Sequence, residues 1–416
     1  MRLLVLTHTF PPSAHSNAKR PFYLVKGFLE RGWQVDVFTS TIGLAEPVAE
    51  SLVHPALRVV RRADPAERFC RKFAGNAGLF RLVSLIASGL TWPDGNLYWS
   101  LQTIRACGRA VGYDRVLVFI LPASLLLLGR VVGRVGRHWV FDYQESVTPH
   151  WRQHPRRSPL NRLGFPYLTR LERRTLSQAG KVVFTAATNR QAYLDAGLVG
   201  TTPTEHVPYF YDDAAFRDAG EKLSDRFQIA YFGTFDWRGA RSPETFLRSL
   251  ARFLELHPAA RPSTSFVFYG RWLPEHSRFL DELKLQDVAS LHPPVPYEQY
   301  LAKLKESPVL LLVVAAQHNL FMPSKIVDYF GVRRPILAFV PPGSEMRQVL
   351  EAAGMAEFTS AEFDVTAGAA ALRRLWERYQ AGQLATATGN TRFWSATEQI
   401  PRYVELVTQA GGGKGG

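Results

Sequence analysis

Apolar residues along this chain follow two alternating patterns. Short runs are β-branched or aromatic at nearly every position: LLVLTH, QVDVFTS, RVLVFI, HWVFDY, KVVFTA and HVPYF, then IAYFGTF, SFVFYG, VLLLVVA and PILAFV. Between them lie longer stretches in which apolar residues return every three or four positions. In AKRPFYLVKGFLERG, Phe22, Leu24, Val25 and Phe28 share one face and Gly32 supplies the stop, which predicts an amphipathic helix. Strands apolar on both faces and separated by such helices predict parallel sheets covered on both sides. Repetition of strand, helix, strand through both halves predicts an α/β protein of doubly wound parallel sheets.

The alternation pauses at DDAAFRDAGEKLSDRF, a polar stretch that leads into a new strand at Gln228. Two Rossmann-like domains follow, 1–212 and 213–385. A C-terminal helix over 386–409, around Trp394 and PRYVELVTQ, is expected to pack back toward the first domain. The tail 410–416, rich in glycine, reads as flexible. No repeat of solenoid period and no low-complexity block interrupts this plan.

Composition narrows the class. At 416 residues, 46% hydrophobic and 21% charged, the chain is an ordinary globular one, which excludes disordered, collagenous and coiled-coil proteins. Two cysteines, Cys70 and Cys107, make neither a disulfide framework nor a zinc site and suit a reducing compartment. The longest apolar stretch, VLVFILPASLLLLG, is interrupted by Pro122 and Ser124 and falls short of a spanning helix. About five apolar residues precede His8, too few for a signal-peptide core. The expectation is a cytoplasmic protein, soluble or peripheral on the inner face of the membrane.

Charge is distributed unevenly. Up to Phe210 there are 27 basic and 13 acidic residues, and after it 23 of each, so the first half carries the whole net charge of +14. Such asymmetry suits an anionic membrane or a polyanionic partner engaged by the first half; a merely soluble basic surface is the plainer alternative. RFCRKFAGNAGLFRLVSLIASGL, Arg68 to Leu90, interleaves Arg68, Arg71, Lys72 and Arg81 with Phe69, Phe73, Leu79, Phe80, Leu82 and Leu85. It reads as an interfacial helix, or as a core helix whose basic side chains snorkel. Nucleic acid is not expected, because the basic half lacks a recognition motif.

In doubly wound sheets ligands bind beyond the carboxyl ends of the strands, and four loops there carry chemistry. THTFPPSAHSNAKRP lacks a glycine-rich dinucleotide motif and sets Lys19 and Arg20 in the first helical turn, where they accompany an anion or are simply solvated. VFDYQESVTPHW offers Asp142 and Glu145 together, with His150 behind, a pair suited to general-base or hydroxyl-binding work. In YFGTFDWRGARSPETF, Gly233 follows a strand, Arg238 and Arg241 come within eight residues, and Ser242-Pro243-Glu244 starts a helix. This is an oligophosphate-binding arrangement, or a pair of surface arginines. In FMPSKIVDYFGVRRPILAF, Ser324 and Lys325 open a helix with Asp328 one turn on. Helix amides, a hydroxyl and an ammonium would hold a pyrophosphate, and the carboxylate would accept ribose hydroxyls; the plainer reading is a cap and a surface acid.

Five segments in this order resemble GT-B glycosyltransferases, specifically the glycosyltransferase family 4-like group: THTFPP…AKRPFYLVKGFLERGWQVDVFTS, VFDYQES, LERRTLSQAGKVVFTAATNRQAYLDAG with HVPYFYDDAAF, YFGTFDWRGARSPETFLRSL, and PSKIVDYFGVRRPILAF. They cover most of residues 1 to 345. The resemblance implies a two-domain GT-B fold around a cleft, with a nucleotide-diphosphate sugar in the second domain and a lipid-linked or polysaccharide acceptor in the first. It implies a retaining, hexosyltransferase-type transfer without metal or other cofactor. Arg241 (or Arg238) and Lys325 fall where the family places its pyrophosphate-binding Arg/Lys pair, Asp328 on the second of its two spaced acids, and Glu145 on the acid after the fourth strand. Gly233 and Ser324 complete the implied donor site. Two positions depart from the pattern. Leu320 stands where the first glutamate, a donor-sugar contact, is expected, and Gln144 stands where many relatives have histidine. A transferase on a soluble acceptor and a catalytically silent GT-B scaffold are the alternative readings.

Overall fold

The structure, a computed structural model, describes residues 1–13, 15–42, 52–63, 93–107, 112–130, 138–153, 159–217, 223–235, 241–315, 320, 322–384 and 389–410. The Arg68–Leu90 segment, Arg238 and the glycine-rich tail from 411 lie outside them. The chain forms two compact units, Met1–Pro208 with Gln399–Gly416, and Tyr209–Glu398. The stretch from Asn390 to Glu398 thus belongs with the second unit.

The first unit holds a seven-stranded sheet in the order β3-β2-β1-β4-β5-β6-β7. The strands are β1 (Arg2–Leu6), β2 (Gln34–Ser40), β3 (Leu57–Arg62), β4 (Arg115–Ile120), β5 (Trp139–Tyr143), β6 (Lys181–Phe184) and β7 (Thr204–His206). Every pairing is parallel, as continuous apolar runs demand when both faces are covered. Around the sheet are helices α1 (Lys19–Leu29), α2 (Leu97–Cys107), α3 (Thr148–Gln153), α4 (Pro159–Leu176) and α5 (Ala187–Asp195).

The second unit repeats the plan with six parallel strands in the order β10-β9-β8-β11-β12-β13. These are β8 (Phe227–Phe232), β9 (Thr264–Tyr269), β10 (Ala289–His292), β11 (Val309–Val313), β12 (Ile336–Phe339) and β13 (Thr359–Ser360). Its helices are α6 (Glu244–Leu256), α7 (Pro274–Glu282), α8 (Tyr297–Glu306), α9 (Lys325–Val332), α10 (Glu345–Ala352) and α11 (Val365–Gln380). Alternate residues feed opposite cores: Ile229, Tyr231, Leu311 and Val313 enter one, and Ala230, Phe232, Leu310 and Leu312 the other. The last helix, α12 (Ala396–Gln409), starts beyond Trp394, which packs instead against Phe330 of the second unit, ring centroids 4.9 Å apart.

The two sheets reverse winding direction between β1 and β4 in the first unit and between β8 and β11 in the second. At such switch points the flanking loops diverge to opposite faces and leave room for a ligand.

Helix α1 buries Leu24, Val25 and Phe28, as its periodicity predicts, while Phe22 is only half-buried. Arg20 corrects the sequence reading. It is neither solvated nor set toward a bound ligand but is 2% exposed and pairs with Asp142 of β5, which is wholly buried. The guanidinium donates through Nε and Nη2 to the carboxylate at 2.9–3.1 Å, and to the carbonyls of Val207 (3.0 Å) and Pro208 (2.8 Å). Tyr403 of α12 donates its hydroxyl to Asp142 at 2.8 Å, and its ring lies 5.3 Å from the guanidinium. Asp142 is therefore committed within the fold and is no partner for Glu145 in catalysis.

Burying two ions costs several kcal/mol each, and a pair so fully hydrogen-bonded offsets that cost, whereas half a pair does not. Arg20→Met and Asp142→Asn should each lower stability by about 3–5 kcal/mol. The double variant Arg20→Met/Asp142→Leu should recover a large part of the loss in chemical denaturation. Equal loss in the double variant and the singles would show that the carbonyl and Tyr403 contacts, not the ion pair, carry the stability.

Candidate functional site

In the second unit the residues after β8, β9 and β11 converge at the switch point. Lys325 opens α9, the helix that follows β11 in the chain. Its Nζ donates to the Phe232 carbonyl at 2.9 Å and lies 3.9 Å from the centre of the Tyr231 ring. That ring is stacked on Phe235 at 4.2 Å, so the ammonium rests on a buried aromatic floor, an arrangement favourable to a cation. Gly233, next in the chain, has φ +132°, and a Cβ there would sit 3.3 Å from Lys325 Nζ. A side chain at Gly233 would therefore crowd the ammonium.

Gly270, at the end of β9, is required more strictly. Its φ is +154°, and a Cβ would fall 1.8 Å from the Gly233 carbonyl oxygen, a distance no side chain adopts. The sequence reading missed this residue, although FYG at the end of β9 repeats the YFG at the end of β8.

Ser324 occupies the N-cap position of α9 with helical backbone angles and makes no capping hydrogen bond with its side chain. Its hydroxyl is not consumed in ending the helix, although the Ile326 amide is already taken by the Pro323 carbonyl at 3.1 Å. Asp328 is not a surface acid. It is 5% exposed and accepts a hydrogen bond from Tyr300 of α8 at 2.9 Å, and burial, reinforced by the carboxylate, holds the Tyr300 phenol well above its usual pKa. Leu320 is buried, in keeping with an apolar residue at that position.

Arg241 is half-buried in the segment joining β8 to α6, immediately before Ser242, whose hydroxyl accepts the Glu244 amide at 3.1 Å. The structure thus gathers Gly233, Lys325, Ser324 and Asp328 at one end of one sheet, with Arg241 on the same β8 connection. Arg238 lies outside the described residues, and Glu145 belongs to the first unit.

Glu145 follows β5 and is exposed, yet desolvation by the surrounding protein raises its carboxyl pKa. The loop around it is held from below. Wholly buried Glu172 of α4 accepts hydrogen bonds from Tyr143 (2.8 Å), Tyr193 (2.6 Å) and the Thr148 amide (3.2 Å), and Tyr193 Oη in turn accepts the Val147 amide at 3.0 Å. Thr185 donates toward the carbonyls of Tyr143 and Gln144. His150 is half-buried, with its amide on Ser146 Oγ at 3.2 Å.

At the first unit's switch point stands His8, a residue the sequence reading passed over. Its carbonyl accepts Ser40 Oγ at 2.7 Å and Ser40 N at 3.2 Å, and its ring meets Trp99 edge-on at 4.9 Å. Nε2 is buried without a hydrogen-bond partner among the described residues. Burial, reinforced by nearby His15, lowers its pKa to about 4. On the other flank Asp94 accepts the Ser124 amide (2.8 Å), the Ser124 hydroxyl (2.9 Å) and the Asn96 amide (2.9 Å).

No protein-family model matches the chain, and no curated protein matches it by sequence. Solved structures do match, across 98% of this chain. Sucrose-phosphate synthase from Thermosynechococcus elongatus is similar with a TM-score of 0.66 at 15% identity, over 98% of its own length. The E. coli trehalose-6-phosphate structure bound with UDP-2-fluoro glucose gives 0.65 at 14%, over 99% of its length. An alpha,alpha-trehalose-phosphate synthase (UDP-forming) from Burkholderia vietnamiensis gives 0.63 at 14%, also over 99%. The two parallel doubly wound α/β units are therefore the GT-B fold.

Two outcomes test this geometry. Gly270→Ala should destabilise the second unit, because the Gly233 carbonyl must move; a melting curve unchanged from the parent would contradict the contact. His8 binds a proton near pH 6.5 when unfolded and near pH 4 when folded, so its contribution is full above pH 6.5 and is lost as pH falls toward 4. The whole contribution is at most about 3 kcal/mol. Urea titrations from pH 7.5 to 4.5 should show a smaller acid loss in His8→Gln than in the parent.

Proposed function

We propose that this protein is a retaining GT-B glycosyltransferase that moves a sugar from a nucleotide-diphosphate donor, bound by the second unit, to a lipid-linked or polysaccharide acceptor bound by the first. Membership of the family 4-like group is part of the proposal. The observation that carries it is the Lys325 ammonium, seated on Tyr231 and the Phe232 carbonyl beside two obligatory glycines at the switch point. That is a pre-set cation with backbone access for a bulky anion. A UDP-sugar analogue in the E. coli neighbour and UDP formation by the Burkholderia enzyme support the donor class.

In this reading Lys325 and Arg241, with Arg238, offset the charge that builds on the departing nucleotide diphosphate, an electrostatic role that grows toward the transition state. Those cations stand in place of a metal ion. Ser324 contributes a hydroxyl at the helix start, and Gly233 permits close approach of the phosphates. Asp328, oriented by Tyr300, is assigned to the donor ribose. Glu145, whose carboxyl pKa is raised by desolvation, is assigned to the acceptor side as a proton-exchanging group. The excess of basic residues before Phe210 suits an acceptor that carries phosphate or lies at an anionic membrane face.

A second reading has an observation of its own. Sucrose-phosphate and trehalose-phosphate synthases are named among the structural neighbours, which favours a soluble sugar phosphate as acceptor; the same basic surface would serve it.

A thermal-shift panel of nucleotide diphosphates and their sugars identifies the donor first, since a ligand of the native state must raise the melting temperature. With that donor, Lys325→Ala and Arg241→Ala should each lower turnover by about two to three orders of magnitude with the fold retained. Full turnover in Lys325→Ala would remove the proposed phosphate site. A chain that neither transfers nor hydrolyses any nucleotide sugar would be a silent scaffold.

A further inference from the structure

Helix α4 is amphipathic in an unusual sense. Its inward arc carries Leu168, Leu171, Thr175 and Leu176, all buried, together with Glu172, the acid that holds the Glu145 loop. Its outward arc carries Arg162, Leu163, Tyr167, Arg170, Arg173 and Arg174, all exposed. At about 100° per residue these six span about 140° of the helix surface. Leu163 is 80% exposed and Tyr167 45%. Glu172 is the one acid in the helix sequence and points inward, so four arginines stand with no carboxylate of their own helix among them.

We infer that the outward face of α4 is a docking surface for an anionic lipid bilayer. The inference rests on the reading of a membrane-face acceptor, and deepens it by naming the surface. Four arginines alone would suit any polyanion. The exposed leucine and tyrosine between them select among polyanions, because a nucleic acid backbone offers nothing to cover Leu163, whereas a bilayer takes apolar side chains below its headgroups and arginines among them. Arginine and tyrosine are suited to that boundary, each with an apolar body and a polar end. Charge complementarity extends beyond the helix, since residues up to Phe210 carry all of the chain's net charge.

The two arcs give the surface a use. Through Glu172 the lipid-facing helix is hydrogen-bonded to the backbone of the loop that carries Glu145. A bilayer that captures α4 therefore fixes the position of that loop relative to the headgroups. An acceptor anchored in the same bilayer meets the loop at a constant height.

The test is co-sedimentation of the full chain with vesicles of phosphatidylcholine alone and of phosphatidylcholine mixed with phosphatidylglycerol. Two variants are compared with the parent, one with Arg162, Arg170, Arg173 and Arg174 all changed to Gln, the other Leu163→Ser/Tyr167→Ser. Both alter only exposed side chains, and melting curves report whether each is folded. Each basic residue near an anionic surface contributes about five-fold to binding, so the arginine variant should lose at least about ten-fold in partition onto the mixed vesicles. The apolar variant should lose several-fold onto the same vesicles. If the parent binds mixed vesicles and both folded variants bind equally well, α4 is not the surface and the membrane reading stands without it. If the parent binds neither vesicle, the inference and the membrane reading fall together. Binding of a single-stranded oligonucleotide that the arginine variant loses and the apolar variant keeps, with no vesicle binding, would replace the bilayer with a nucleic acid.

Discussion

The buried pair of Arg20 and Asp142 is the contact on which the first unit is organised. It joins the first turn of α1 to β5, fixes the carbonyls of Val207 and Pro208 where the chain leaves the unit, and takes the hydroxyl of Tyr403 where the chain has returned. Four pieces separated by as many as 383 positions meet on two side chains. Hydrophobic burial covers both faces of the sheet but is indifferent to register. An ion pair that tolerates no unpaired partner is not indifferent, and it selects one arrangement of these pieces.

The same logic, with less charge, governs both candidate sites. Lys325 is positioned by an aromatic face and a carbonyl oxygen, which fix where its charge stands at the strand ends. The Glu145 loop is positioned by a carboxylate with three hydrogen bonds and by a threonine with two. In each unit the strand ends are immobilised before a ligand arrives, and chemistry that depends on electrostatics gains from dipoles and charges that need not reorganise.

Much of this was legible along the chain. Continuous apolar strands cannot be half-exposed, so parallel layers followed from the pattern. Lys325, Ser324 and Gly233 were visible because helix starts and strand-end glycines are local signals. What escaped was non-local. Arg20 stands beside Lys19 in sequence, and nothing nearby reveals that a carboxylate 122 residues away will bury it. Asp142 was misassigned for the same reason, since a carboxylate at a strand end reads alike whether it faces solvent or a guanidinium. Gly270 is demanded by the Gly233 carbonyl across a strand pair, and Tyr300 by Asp328 on another helix; both requirements exist only once the sheet is assembled. The α4 surface was hidden by a helix whose apolar and basic residues read as ordinary until its two arcs are separated.

The discontinuous make-up of the first unit has a consequence for biosynthesis. The second unit is one uninterrupted stretch of chain, Tyr209–Glu398, and has all its residues as soon as that stretch has emerged. The first unit begins emerging earlier but lacks α12, and with it Tyr403, until the whole of the second unit has been made. Vectorial synthesis therefore completes the later domain first. Until then the earlier one has all its strands but lacks the helix that brings Tyr403 to Asp142. Chaperones that meet this protein on the ribosome meet that incomplete unit, and a stop codon placed ahead of Tyr403 removes a wall of the oldest part of the molecule.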